Sequence, residues 1–76
     1  MNNQNKDAIR KEAEYLAQSA IHTARVSNRL EAARTELVEA YLLMEPYART
    51  MAKETRATIR RIDTTLEALH DARAES

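Results

Sequence analysis

The sequence predicts an all-α protein, a long helical hairpin that folds back at its single proline. Composition is the first reason, since the 76 residues include 14 alanines, one proline and no glycine. Alanine is the strongest helix former, and a chain without glycine has few ways to make tight turns. The other two reasons are the helical spacing of apolar residues and the order of charges on either side of the proline.

Pro46 sets the predicted helix boundaries. Proline ends or kinks a helix at the residue before it but fits the first turn of the next helix. We therefore predict a frayed polar segment at 1–5, a first helix over 6–44 and a second helix over 46–74 in a single helical domain. Asn28 followed by Glu31 resembles a capping box. An alternative is therefore a three-helix bundle with an extra break near Ser27-Asn28.

Oppositely charged residues lie at equal or nearly equal distances from Pro46, which predicts the alignment of the two helices. The pairs are Glu39 with Lys53, Glu36 with Arg56, Glu31 with Arg60, Arg29 with Asp63, and Arg25 with Glu67. The same alignment places Leu30 opposite Ile62 and Val26 opposite Leu66. Charged pairs beside an apolar seam of three- and four-residue spacing are typical of an antiparallel coiled coil.

The predicted hairpin leaves apolar surface uncovered. Leucine, isoleucine, valine and phenylalanine together make 13 of the 76 residues, which is few for a domain that stabilises itself alone. Uncovered apolar residues are expected on the overhanging start of the first helix and around the bend: Ile9, Leu16, Ile21, Val38, Tyr41, Leu42, Leu43, Tyr47 and Met51. The simplest cover is a second copy in a homodimeric four-helix bundle, and the alternative is another protein.

A basic ridge follows the second helix at one-turn spacing, formed by Arg49, Lys53, Arg56 and Arg60. Such a ridge can follow nucleic-acid phosphates. Three observations disfavour that function. The 12 basic and 12 acidic residues give a net charge of zero, and the predicted alignment neutralises three of the cations with glutamates. No aromatic residues interleave with the ridge for base stacking.

The residues present argue against enzymatic chemistry. The chain has no cysteine and no glycine-rich loop, and no serine or threonine has a base and an orienting group at a plausible spacing. We therefore expect no catalytic site, cofactor, metal or small-molecule substrate. No apolar run approaches the ~20 residues of a membrane span, which favours a cytoplasmic protein with no membrane partner.

These points predict a small non-enzymatic protein–protein interaction module. An adaptor, a co-chaperone or an inhibitor, of the kind that phages and plasmids encode, would suit a chain of this size. Two alternatives stay open. One is a regulator that binds nucleic acid through the basic ridge, and the other is a purely structural oligomerisation module.

Overall fold

The computed structural model describes residues 2–75. They form three helices: α1 (Asn2–Leu16), α2 (Ala20–Met44) and α3 (Arg49–Glu75). The described residues contain no strand, so the predicted all-α class is confirmed. None of these helices combines the length and the apolar character that crossing a membrane requires.

Several of the predicted helix boundaries differ from those in the structure. The helix expected over 6–44 is interrupted at 17–19, while α2 runs unbroken through Ser27 and Asn28. A third helix is present, as in the alternative prediction, but the break that creates it lies at 17–19 and not near Ser27-Asn28. Residues 2–5 of the expected frayed segment belong to α1, because extending a helix by one residue costs little once a turn exists. Met1 lies outside the described residues.

The break between α1 and α2 is built by two hydroxyl side chains. Ser19 is the N-cap of α2, with extended backbone, and its Oγ accepts a 3.3 Å hydrogen bond from the His22 N–H. Thr23 is fully buried, and its Oγ1 donates to the carbonyls of Leu16 and Ser19, both at 2.9 Å. Leu16 ends α1, and in place of a donor from the next helical turn its carbonyl accepts the Ser19 N–H at 2.9 Å as well as the Thr23 hydroxyl. The Thr23 hydroxyl thus ties the end of α1 to the start of α2.

The bend between α2 and α3 covers residues 45–48, as Pro46 predicts. Because Pro46 has no N–H, it cannot donate to a carbonyl one turn earlier, and α2 ends at Met44. The Glu45 N–H still bonds to the Tyr41 carbonyl at 2.9 Å, and the Ala48 N–H reaches the Met44 carbonyl at 2.7 Å. α3 begins at Arg49 rather than at the predicted residue 46, because Pro46 lies within the turn at 45–48 and not in the first turn of the helix.

α3 runs antiparallel along α2, but in a different register from the predicted one. The Met44 Sδ lies 3.7 Å from the Thr55 Oγ1, and Arg34 pairs with Asp63. The predicted partner of Asp63, Arg29, lies five residues earlier on α2. Leu30 packs against the cluster that contains Leu69, which lies seven residues further along α3 than Ile62, the partner predicted for Leu30.

The repeat itself explains the wrong register. The apolar seam recurs every seven residues, so sliding one helix by one repeat brings the same kinds of side chain together again. The face was predicted well even though the alignment was not. The three- and four-residue spacing predicts a seam on the helix after Pro46, formed by Ala48, Ala52, Thr55, Ile59, Ile62, Leu66 and Leu69, and of these Ala52, Ile59, Leu66 and Leu69 are buried.

α1 packs on the C-terminal half of α3 rather than overhanging it. Ala13 is buried in one cluster with Leu69 and Ala72, and Leu16 packs at the edge of that cluster. Because Leu30 of α2 joins the same cluster, one small core holds all three helices. The Cα atoms span 44 × 29 × 13 Å, so the three helices form a slab with little interior.

Replacing Thr23 with valine tests the α1–α2 corner. Valine keeps the shape but removes the hydroxyl that donates to Leu16 and Ser19, so we expect a loss of about 1 kcal/mol in unfolding free energy. Urea unfolding followed by circular dichroism measures it. Thr58→Val is the matched control, because the Thr58 hydroxyl is exposed and bonds only to the Glu54 carbonyl within its own helix. Equal losses in the two variants would contradict this role for Thr23.

Charge reversal tests the register. Arg34 donates from Nε and Nη2 to the two carboxylate oxygens of Asp63, and this hydrogen bond and the carboxylate charge raise the pKa of Arg34. We expect Arg34→Asp to lower the urea midpoint and the added Asp63→Arg to restore most of it, less so at high salt. Arg29→Asp is the control. Rescue of Arg29→Asp by Asp63→Arg, without rescue of Arg34→Asp, would support the other register.

Candidate interaction surface

The bend carries a group of exposed apolar side chains, which we call the bend surface: Leu42, Leu43, Tyr47 and Met51. Leu42 and Leu43 lie in the last turn of α2, Tyr47 lies in the bend, and Met51 lies in the first turn of α3. Their exposed fractions run from 61% for Met51 to 90% for Tyr47. Side chains of this size are normally covered when they cluster, so the bend surface is the strongest candidate for a protein contact.

The other predicted interface residues are distributed over the rest of the molecule. Val38 and Tyr41 are half-buried on α2, while Ile9 and Leu16 are half-buried on α1. The predicted overhang is thus partly covered within the chain, since Ile9 and Leu16 lie beside α3. Ile21 is 73% exposed in the first turn of α2, at the opposite end of that helix from the bend. The nine residues therefore do not form one continuous surface.

A cleft of about 340 Å³ opens between α2 and α3 beside the bend. We call it the basic cleft. Its lining residues are Tyr41, Glu45, Pro46, Arg49, Ala52, Lys53 and Arg56. Ala52 is buried, Tyr41 is half-buried, and the three cations are exposed. The cleft therefore has a partly apolar floor and a rim with three positive charges and one negative charge.

The predicted neutralisation of the basic ridge is wrong. Within the described residues, Arg49, Lys53, Arg56 and Arg60 form no ion pair. Glu31, the expected partner of Arg60, instead lies 4.0 Å from the His70 Nε2. The register of α3 against α2 accounts for the difference, because the cations no longer lie level with the glutamates assigned to them. Three of the four, Arg49, Lys53 and Arg56, share the basic cleft.

The contact between Ser19 and His22 caps the start of α2. The Ser19 Oγ lies 2.7 Å from the His22 Nδ1 and also accepts the His22 backbone N–H. A serine nucleophile needs a base that a third group orients, and no such group bonds to the His22 ring among the described residues. Sequence reasoning missed this cap, although a serine three residues before a polar side chain is a known helix-start signal.

Sequence reasoning also missed the pairing of Arg34 on α2 with Asp63 on α3, which joins the two helices beyond the basic cleft. Among the side chains described, no group of three or more histidines, aspartates or glutamates is arranged to hold a metal ion.

No protein-family model, curated protein or solved structure matches the chain.

Proposed function

We propose that the protein is a small non-enzymatic protein–protein interaction module that acts through its bend surface. The observation that carries this proposal is the exposure of Leu42, Leu43, Tyr47 and Met51, four large apolar side chains on one end of the molecule. Large apolar side chains that are exposed near one another in the fold are typical of sites that contact another protein. Tyrosine at the tip fits such a role, because it buries a large ring while keeping its hydroxyl in water.

The occupant that the bend surface fits best is a second copy of the chain. None of its four residues is charged, so two copies related by a twofold axis could place the same patch against itself without burying a charge. In this arrangement α2 and α3 of each copy form an antiparallel coiled-coil hairpin. The two hairpins meet at their bend surfaces, and their four helices form a four-helix bundle. A dimer of this kind would serve an adaptor, a co-chaperone or an inhibitor by presenting two copies of its remaining surfaces.

A second function, binding of nucleic acid, is favoured by one observation. The ridge of Arg49, Lys53, Arg56 and Arg60 lacks ion pairs within the described chain, so its charge is available to phosphates. The net charge of zero counts against it, as does the absence of aromatic residues between the cations. Protein binding therefore remains the main proposal.

The bend surface is tested by the double variant Leu42→Asp with Tyr47→Ala. Both positions are mostly exposed, so the helices should form as in the parent chain while a charge enters the dimer contact. We expect the parent to sediment as a dimer and the variant as a monomer with the same helical circular dichroism. Ile21→Asp, an equally exposed apolar position at the other end of α2, is the control and should remain dimeric. A parent chain that is monomeric at high concentration would contradict the proposal.

A further inference from the structure

The basic cleft has a composition that the proposed dimer contact does not use. Its floor includes the Tyr41 ring and the small side chain of Ala52, and its rim carries Arg49, Lys53 and Arg56. We propose that this cleft binds an acidic amphipathic helix of another protein. The inference goes beyond the proposed function, because it assigns a second site with its own class of partner.

The spacing of the cations fits a helical ligand. Arg49, Lys53 and Arg56 follow one another at four and three residues along α3, so their side chains project at about one-turn intervals, roughly 5–6 Å apart. Acidic residues at the same spacing on a partner helix would meet the three cations in order. These cations form no ion pair in the described chain, so binding would not have to break existing ones.

The floor of the cleft fits the apolar edge of the same ligand. Ala52 is small and buried at the base of the cleft, so no bulky side chain stands there, and the partly exposed Tyr41 adds aromatic surface for an aliphatic side chain. An amphipathic helix laid in a groove uses both features, with apolar anchors at helical spacing and charges along one edge. The one acidic group on the rim, Glu45, predicts a lysine or arginine at the facing position of the partner.

A nucleic acid matches the cleft less well. Its phosphates form a continuous line of negative charge that would pass Glu45 on the rim. A helix can place acidic and basic residues separately, so it can satisfy Glu45 and the cations together. Tyr41 is the one aromatic residue of the cleft, whereas single-stranded nucleic acid is held by several stacked rings.

The test measures fluorescence anisotropy of labelled synthetic peptides with the full chain. The acidic probe is a helix of alanine, leucine and glutamate, with glutamates at four- and three-residue spacing beside a leucine edge and one lysine at the position that faces Glu45. A second probe replaces each glutamate with lysine, and a third probe is a single-stranded oligonucleotide. We expect the acidic peptide to bind at least about tenfold more tightly than either other probe, with an affinity that falls as salt rises.

Variants of the chain locate the binding. Lys53→Glu with Arg56→Glu should weaken acidic-peptide binding at least about tenfold, because two attractive charges become repulsive. The control, Arg25→Glu with Arg29→Glu, makes the same change in net charge on exposed α2 residues outside the cleft and should leave most of the affinity. Equal effects of the two variants would overturn the site.

Two further results would overturn the choice of ligand. One is equal binding of the acidic and lysine peptides, and the other is tight binding of the oligonucleotide with none of the acidic peptide at millimolar concentration. The dimer proposal is separable from this one. Leu42→Asp with Tyr47→Ala should abolish dimerisation but keep acidic-peptide binding, since neither residue lines the cleft.

Discussion

The alignment of α3 along α2 is the constraint on which the other contacts depend. The Arg34–Asp63 pair and the contact between Met44 and Thr55 fix that alignment near the middle and near the bend. In this register Leu30 reaches the cluster of Leu69 and Ala72, where Ala13 of α1 also packs. A different register would move Leu30 out of the cluster and leave α1 with less to pack against. The apolar faces of α1, α2 and α3 therefore share one core because α2 and α3 are held in this alignment.

The same geometry explains why apolar and basic groups are exposed at the bend. α1 has 15 residues and α3 has 27, or about 22 Å against about 40 Å of helix. Since α1 packs beside Leu69 and Ala72, the start of α3 near the bend has α2 as its one neighbour among the described residues. Met51 and Leu43 consequently stay exposed. The basic cleft forms in the same two-helix region, where the register leaves its cations without carboxylate partners.

The sequence allowed the helical class, the bend at Pro46 and the buried face of α3 to be predicted, because each depends on local chemistry or on periodicity. Of the residues expected to be uncovered around the bend, Leu42, Leu43, Tyr47 and Met51 are exposed, while Val38 and Tyr41 are half-buried. Periodicity could not fix the register, because a seven-residue slide superposes the seam on itself and exposed ion pairs distinguish the alternatives weakly. The break at 17–19 was missed because Ser19 and Thr23 act through hydrogen bonds that leave the apolar pattern unchanged.

Methyl NOE spectroscopy on the full chain tests the register most directly, because it reports which side chains are neighbours in solution. We expect an NOE between the Met44 Cε and Thr55 Cγ2 methyl groups, since the Met44 Sδ and the Thr55 Oγ1 lie 3.7 Å apart. We also expect NOEs from the Leu30 methyl groups to the cluster that contains Leu69 and Ala72. NOEs from Leu30 to Ile62, together with no contact between Met44 and Thr55, would show that the helices pack in the other register.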